Sequence, residues 1–249
     1  MPTKHIVIIG ATSLIAEHCA RLWAAEGDSQ FTLVGRDAER LNSIAQDLRV
    51  RSPDCAPMTL VADFCDSNSI SALVKQITAR ASVDIVLIAH GSLADQLRCQ
   101  ENLNENEAAL RINGVSPVLF AEAFVQPMLD ANGGTIAIIG SVAGDRGRKS
   151  NYVYGSAKGL VYRYAQGLQH RLAASKIRIV LIKPGPTDTP MTTHLKQQGA
   201  KLASAESVAQ AIVLGVERGK PIVYAPAKWA MIMMVIRHLP AFVFNKLNI

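Results

Sequence analysis

The sequence has few cysteines, no metal-binding pattern of histidines and no long apolar run. Its six histidines show no HExxH or similar spacing, so we expect no metal site. The four cysteines form no CxxC pair, which favours reduced thiols in the cytoplasm over a disulfide framework. They are Cys19, Cys55, Cys65 and Cys99.

Uncharged stretches are short. The longest, residues 131–144, has 14 residues and includes four glycines. A membrane-spanning helix needs about 20 apolar residues, so none is predicted. Lys4 precedes an apolar stretch, but Gly10 interrupts it and Glu17 ends it. Because no small-x-small cleavage site follows, we expect no signal peptide and a cytoplasmic location.

The composition indicates an ordered chain with an uneven charge. Of 249 residues, 49% are apolar and 18% are charged, which excludes intrinsic disorder. Residues 1–145 contain 10 Lys and Arg against 17 Asp and Glu, a net charge of −7; residues 146–249 contain 16 against three, a net charge of +13. This asymmetry fits either an anionic partner or a solvated basic face. We expect no nucleic-acid partner, because no RNA-binding motif or basic recognition helix is present.

Short runs of Val, Ile and Leu alternate with segments of helical periodicity. The predicted strands lie at 5–10, 31–35, 58–62, 83–89, 134–139, 177–182 and 222–224. The longest predicted helices cover 13–26, 104–129, 152–175 and 206–218. Apolar strands of this kind are buried on both faces, as in parallel sheets. We therefore predict an α/β fold with a Rossmann-like, doubly wound parallel sheet of about seven strands in a single domain.

The turn between the first strand and the first helix, residues 10–16, is a candidate phosphate-binding site. Helix N-terminal amides point at an anion there. Gly10 suits the tight turn, and Thr12 and Ser13 suit capping or phosphate binding. Leu14 and Ala16 stand where glycine-rich loops carry glycine. A plain strand-to-helix turn is the alternative.

Arg36 follows the second strand, where NAD-binding proteins carry a carboxylate. An arginine there suits the 2′-phosphate of NADP, so NADP(H) is favoured over NAD(H). The alternative is a surface arginine paired with Asp37 or Glu39. Asp63, at the end of the third strand, is placed either to meet an adenine amino group or to cap a helix.

The strongest pattern joins Ser141, Tyr154 and Lys158. The YxxxK spacing puts Tyr154 and Lys158 on one helical face, one turn apart. We expect the lysine ammonium to lower the pKa of the Tyr154 phenol and make it a general acid. Ser141, at the end of the fifth strand, is placed to hold a substrate oxygen.

In this order the motifs resemble those of the short-chain dehydrogenase/reductases over essentially the whole chain. The resemblance implies hydride transfer between a nicotinamide and a carbonyl or alcohol carbon. Tyr154 would move the proton, Ser141 would orient the oxygen, Lys158 would bind the nicotinamide ribose, and Asn113 would join Lys158 through water. It also implies that residues 1–227 form the NAD(P)-binding oxidoreductase domain, with 228–249 as an apolar and basic extension of it.

The resemblance implies a cofactor-binding set that runs through the whole chain. Residues 184–189 would hold the nicotinamide carboxamide. The family's NNAG element reads here as Ile88-Ala89-His90-Gly91. The implied cofactor residues are Gly10, Thr12, Ser13, Leu14, Ile15, Arg36, Asp63, Phe64, Ala89, His90, Gly91, Tyr154, Lys158, Pro184, Gly185, Thr187 and Thr189. The first turn and the AHG element are similar to a bacterial branch that includes a reductase of a keto-pentose carried on polyprenyl phosphate.

Two segments bear on the substrate. Arg146, Arg148 and Lys149 lie between Ser141 and Tyr154, where they would attract an anionic group or form a solvated loop. Residues 228–246 are apolar all round, with cations and a tryptophan at their flanks. This composition suits contact with the inner face of a membrane, a lid over a lipid-linked carbonyl substrate, or a helix buried against the sheet or a partner subunit.

Two expectations concern the whole protein. The resemblance implies a homodimer or homotetramer, with the helices at 104–129 and 152–175 in the interface. A different class of function is also open: a cofactor-sensing or membrane-associated binding protein on the same fold, with weak catalysis.

Overall fold

The computed structural model describes residues 3–247 and contains a seven-stranded parallel sheet. The order β3-β2-β1-β4-β5-β6-β9 confirms the predicted doubly wound fold. The strands are β1 (Lys4–Ile9), β2 (Ser29–Gly35), β3 (Met58–Val61), β4 (Ile85–Ile88), β5 (Gly134–Ile139), β6 (Ile177–Pro184) and β9 (Ile222–Ala225). Two short strands, β7 (Thr187–Asp188) and β8 (Ala203–Ser204), pair separately.

Helices cover both faces of the sheet. They are α1 (Leu14–Ala25), α2 (Ala38–Arg51), α3 (Ser67–Thr78), α4 (Gln96–Glu101), α5 (Leu103–Leu110), α6 (Ser116–Asp130), α7 (Tyr152–Arg171), α8 (Thr193–Gln197), α9 (Ala205–Glu217), α10 (Lys228–His238) and α11 (Ala241–Phe244). Ile6 and Ile8 of β1 enter the core under α1, α2 and α9. Val7 and Ile9 enter the core under α3, α6 and α7. This alternation explains why the strands are apolar throughout.

The predicted helix at 104–129 is interrupted by a π-helical turn. α5 and α6 are joined through Arg111–Val115, so that one continuous helix runs over Leu103–Asp130. Its length and composition would suffice for a membrane span, but 56% of its most apolar window is buried inside the protein. Packing against α3 and β5 identifies it as a core helix. At the other long helix, α7, the predicted end is four residues too late.

The C-terminal segment, α10 and α11, lies on the surface beside β9. Only Met233 of α10 is buried. Met231 is 65% exposed, Val235 55% and Phe242 71%. The alternative of a C-terminal helix buried against the sheet is therefore wrong for the described residues, and packing of this helix on a partner subunit stays a prediction.

Candidate active site

A cavity of about 880 Å³ opens at the carboxyl ends of the central strands. β1 and β4 are adjacent there although two strands, β2 and β3, lie between them in chain order, and this is the switch point where this architecture binds ligands. Most of the residues predicted for a site line this one cavity. They are Gly10, Thr12, Ser13, Leu14, Ile15, Arg36, Phe64, Ala89, His90, Gly91, Asn113, Ser141, Arg148, Tyr154, Lys158, Pro184, Gly185, Thr187 and Thr189.

The first strand-to-helix turn presents the N-terminus of α1 to the cavity. Gly10 has a φ of +84°, which a residue with a side chain rarely adopts. Ser13 occupies the N-cap position, but its side chain makes no capping hydrogen bond. The first amides of a helix lack intrahelical partners, and here they face the cavity together with Thr12 and Ser13. The turn therefore suits an anion such as pyrophosphate.

Two arginines lie at the edge of the cavity beyond this turn. Arg40 donates to the carbonyl oxygen of Thr12 at 3.0 Å, which ties α2 to the turn. Arg36 is exposed and, within residues 3–247, forms no ion pair with Asp37 or Glu39. Asp37 instead caps α2 by accepting from the amide of Arg40. The guanidinium of Arg36 is thus available to an anionic group in the cavity.

Ser141, Tyr154 and Lys158 come together at the inner end of the cavity. The Lys158 ammonium donates to the carbonyl oxygen of Ile139 at 3.0 Å, and its Nζ lies 5.7 Å from the centre of the Tyr154 ring. The Ser141 hydroxyl accepts from the amide of Ala143 at 3.1 Å, which orients it. A phenol, a hydroxyl and an ammonium are together equipped to bind and protonate a carbonyl oxygen.

The pKa directions correct one expectation. Burial raises the pKa of Tyr154, and the side-chain interaction with Ser141 only partly opposes this rise. The predicted lowering of the Tyr154 pKa by Lys158 is therefore wrong for this structure, in which loss of hydration sets the direction. Burial also lowers the pKa of Lys158 to about 8.

Asn113 reaches the site because of the π-helical turn. Its side-chain Nδ2 donates to the carbonyl oxygen of Ala109 at 2.9 Å, and its Oδ1 accepts from the amide of Ser92 at 2.9 Å. A Cβ on Gly91 would lie 2.8 Å from Asn113 Oδ1 and 3.7 Å from Lys158 Nζ. Gly91 therefore allows these two side chains to converge.

His90 is a buried, neutral component of the cavity wall. Burial, with lesser contributions from Lys158 and Arg36, lowers its pKa to about 3. Its Nε2 lies 2.8 Å from the Ser116 hydroxyl, and its ring packs on Phe64 and Phe120. Its Nδ1 has no hydrogen-bond partner among the described residues. The structure places this predicted cofactor residue on the cavity wall.

Three predicted residues lie outside the cavity. Asp63 is exposed, and its Oδ1 accepts from the amide of Cys65 at 2.8 Å, so it forms a local turn and the helix cap is Asp66. Arg146 turns away and donates to the carbonyl oxygens of Ile236 and Leu239, each at 2.6 Å. Lys149 is exposed and does not line the cavity.

Arg146 thereby attaches the C-terminal segment to the segment that follows Ser141. Its guanidinium also lies 3.7 Å from the centre of the Phe244 ring. At the start of α10, Trp229 packs so closely on Gly185 that no Cβ would fit there. The C-terminal segment therefore contacts both loops that flank the inner end of the cavity.

Behind the cavity lies a buried ion pair that the sequence did not reveal. Lys183, the residue before Pro184, pairs with Asp145 at 2.5 Å, and Tyr224 donates to the same carboxylate at 2.9 Å. The Lys183 ammonium lies 3.3 Å from the centre of the Tyr162 ring. A buried strand residue followed by Pro-Gly gives no signal of charge pairing in the sequence.

Comparisons with known proteins agree with this geometry. The sequence model of the short chain dehydrogenase family matches residues 4–200. An uncharacterised oxidoreductase of Mycobacterium tuberculosis is 30% identical over 97% of this chain and 96% of its own length. An uncharacterised oxidoreductase of Streptomyces coelicolor is 28% identical over 99% of this chain and 96% of its own length.

Solved structures share the fold. Levodione reductase superposes with a TM-score of 0.83 at 22% identity, over 92% of this chain and 99% of its own. A short-chain dehydrogenase from Sphingobium yanoikuyae in complex with NADPH gives a TM-score of 0.82 at 23% identity, over 98% and 96% of the two chains.

Proposed function

The chain belongs to the short-chain dehydrogenase family, and we propose on this basis that it is an NADP(H)-dependent oxidoreductase that interconverts a carbonyl group and an alcohol. The observation that carries the proposal is the convergence of Ser141, Tyr154 and Lys158 on one cavity that also includes an open helix N-terminus.

The dinucleotide fits the residues that are present. The pyrophosphate would lie at the N-terminus of α1, over Thr12 and Ser13, and the nicotinamide end near Lys158 and Gly185. The cofactor supplies the hydride chemistry when bound. Ser141 holds the substrate oxygen, and Tyr154 donates its phenolic proton to that oxygen during reduction. The ammonium of Lys158 stabilises the charge that then develops on Tyr154.

Asn113 supports this arrangement from the π-helical turn. Its side-chain bonds to Ala109 and Ser92 fix its position beside Gly91 and Lys158. We assign to it the holding of a water molecule that returns a proton toward Lys158.

Arg36 supports the preference for NADP(H). A cation at the end of β2, without an acidic partner in the described chain, suits the 2′-phosphate and offers nothing to hold the free ribose hydroxyls of NAD. An NADPH-bound relative with the same fold agrees with this assignment. Thermal unfolding and fluorescence titration with NADPH and NADH would test it.

We expect tighter binding of NADPH than of NADH, and Arg36→Ala to weaken NADPH binding by about 10- to 100-fold with little effect on NADH. Arg49→Ala, at an exposed arginine near the end of α2, is the matched control. Tighter NADH binding by the unaltered protein would overturn the NADP assignment but leave the oxidoreductase in place.

Tyr154→Phe separates an enzyme from a cofactor sensor. The variant should keep NADPH binding and lose turnover of a carbonyl substrate by about 10²- to 10⁴-fold. Tyr152→Phe, two residues earlier and partly exposed, is the matched control. Unchanged turnover in Tyr154→Phe, or absence of turnover with intact NADPH binding in the unaltered protein, would favour the sensor.

The C-terminal segment supports peripheral contact with an anionic membrane at its cytoplasmic face. Spacings of three and four residues put Met231, Met234 and Val235 on one exposed face of α10, and Phe242 is exposed beyond it. Lys228, Arg237 and Lys246 are exposed nearby, and residues 218–249 contain no Asp or Glu. Apolar side chains among cations suit an interface rich in anionic lipid. A lipid-linked carbonyl substrate would be accessible there.

Vesicle sedimentation tests this contact. The protein should sediment with phosphatidylglycerol vesicles more than with phosphatidylcholine vesicles, and the triple variant Met231→Gln, Val235→Gln, Phe242→Gln should not. Val50→Gln, at an exposed apolar residue of α2, is the control. Equal sedimentation of the triple variant would contradict the contact. A fall in mass of the triple variant in solution would instead assign the face to a second copy of the chain.

The oligomeric state also belongs to this proposal. Tyr152 and Leu160 on α7 and Leu110 at the end of α5 are apolar side chains with substantial exposure. They lie on the two helices that we assign to a homodimer or homotetramer interface. Light scattering should give a multiple of 26.8 kDa, and Leu160→Glu should reduce it.

A further inference from the structure

Besides His90 Nδ1, three buried polar atoms without partners lie on the wall of the catalytic cavity. They are Gln96 Nε2, Arg148 Nε and Asn151 Oδ1, and none has a hydrogen-bond partner among the described residues. All three side chains line the cavity that contains Tyr154. A buried donor or acceptor without a partner is costly, so such atoms are rare in folded proteins. Their concentration on one wall indicates a binding surface for a polar ligand.

Backbone contacts hold the three residues close to the catalytic phenol. The Oε1 atom of Gln96 accepts from the amide of Val153, the residue before Tyr154, at 3.1 Å. The amide of Asn151 donates to the carbonyl oxygen of Arg148 at 3.1 Å. α4, the loop after Ser141 and the start of α7 thus meet at one place.

The three side chains leave these atoms without protein partners in different ways. Asn151 is the N-cap residue of α7, yet its side chain makes no capping bond. The side-chain oxygen of Gln96 accepts from the backbone amide of Val153, which fixes the orientation of the side chain. Its NH₂ group is therefore left as a hydrogen-bond donor. Arg148 is partly buried and forms no ion pair within residues 3–247. Its burial also lowers the pKa of the guanidinium, in the direction expected of a cation without a paired anion.

We propose that Gln96, Arg148 and Asn151 form the substrate subsite of the oxidoreductase, and that it selects a hydroxylated carbonyl compound bearing an anionic group. The guanidinium of Arg148 binds a phosphate or a carboxylate, both of which it matches with paired N–H donors. The Gln96 amide donates to a substrate hydroxyl oxygen, and the Asn151 oxygen accepts from a substrate hydroxyl. This inference rests on the proposed function and adds the substrate class to it.

Matched pairs of carbonyl compounds test the subsite. Fructose 6-phosphate against fructose isolates the phosphate, and 2-ketogluconate against fructose isolates the carboxylate. 2,3-Butanedione serves as a small neutral carbonyl compound without hydroxyl groups. For each, kcat/KM with NADPH and the thermal stabilisation of the NADP⁺ complex are measured.

We expect at least one anionic probe to exceed fructose in kcat/KM or in stabilisation, and Arg148→Leu to remove that advantage by about 10- to 100-fold. Gln96→Leu and Asn151→Leu should lower kcat/KM for fructose by a larger factor than for 2,3-butanedione. Lys149→Leu, at the exposed neighbouring cation, is the control for net charge. NADPH binding by each variant shows that the cavity is folded.

The outcomes separate this inference from the proposed function. If neither anionic probe exceeds fructose in turnover or stabilisation, or if Arg148→Leu and Lys149→Leu behave alike, the subsite assignment is overturned. Reduction of 2,3-butanedione by the unaltered protein would still leave the oxidoreductase in place. Failure to bind NADPH would instead overturn the proposed function itself.

Discussion

Asp145 and Lys183 form an ion pair with Oδ1 and Nζ 2.5 Å apart, and their side chains are 0% and 1% exposed. The pair joins the segment after Ser141 to the end of β6, where Lys183 directly precedes the loop at 184–189. Both of these segments border the catalytic cavity. The ion pair is therefore placed to fix the distance between Ser141, the proposed substrate-binding residue, and the loop at 184–189 that we propose holds the nicotinamide.

Removal of one partner should be strongly destabilising. We expect Asp145→Asn to lower the free energy of unfolding by about 3–5 kcal/mol, because Lys183 is left as a buried charge without compensation. The exposed pair of Lys196 and Asp188 provides a control, since Asp188→Asn should cost less than about 1 kcal/mol. Urea unfolding of both variants measures the difference. Similar losses of unfolding free energy in the two variants would show that the buried ion pair stabilises the fold no more than the exposed one.

The pH dependence of catalysis should report Lys158. Its pKa of about 8 means that the ammonium form is lost as the pH rises through that value. The neutral amine no longer stabilises negative charge on Tyr154, so kcat/KM should fall on the alkaline side. In Lys158→Arg the guanidinium keeps its charge, and residual activity should show no decline near pH 8. The same decline in this variant would assign it to another group.

Acid should destabilise the fold through His90. Its pKa is about 3 in the folded state against an ordinary value of 6.5, so between these values the unfolded chain binds a proton that the folded chain does not. The free energy of unfolding therefore falls as the pH is lowered from about 6.5 toward about 3, by up to about 1.4 kcal/mol per pH unit. His90→Gln should make this dependence shallower in urea unfolding. An unchanged slope would contradict the assignment.

Gly10 should tolerate no side chain. Its φ is +84°, and a Cβ would lie 2.6 Å from the amide nitrogen of His90. We expect Gly10→Ala to cost about 1–3 kcal/mol and to weaken NADPH binding, because the turn at the start of α1 must shift. Gly167→Ala on α7 has nothing within 4 Å and should stabilise the protein by about 0.5–1 kcal/mol. Thermal unfolding with and without NADPH compares the two.

The fold was accessible from the sequence because its signals are local. Most strands of the main sheet are rich in Val, Ile and Leu, and the helix starts at Asp37 and Asp66 carry aspartate, a common N-cap residue. The YxxxK spacing of Tyr154 and Lys158 likewise depends only on helix geometry. Such features need no knowledge of distant contacts.

The features of the site that the sequence did not predict depend on contacts between distant parts of the chain, which no local pattern encodes. Arg146 and Arg148 are two residues apart in a loop, yet one turns to the carbonyl oxygens at the end of α10 and the other to the cavity. The C-terminal helix attracts Arg146 because the last carbonyls of a helix lack partners. The sign of the Tyr154 pKa shift was missed for a similar reason, since burial is a property of the whole fold.

The π-helical turn over Arg111–Val115 has a consequence for the length of the chain. A π-turn holds about one residue more than an α-helical turn. Deleting one residue beside Asn113 would convert the turn to α-helical spacing with α5 and α6 still in phase, because five π-helical residues turn about as far as four α-helical ones. The contact of α5 with α7 would remain, but the extra residue that brings the Asn113 side chain to Gly91 would be lost. A deletion in the exposed stretch 198–201 would only shorten a loop. In this turn, the number of residues is constrained as strictly as their types.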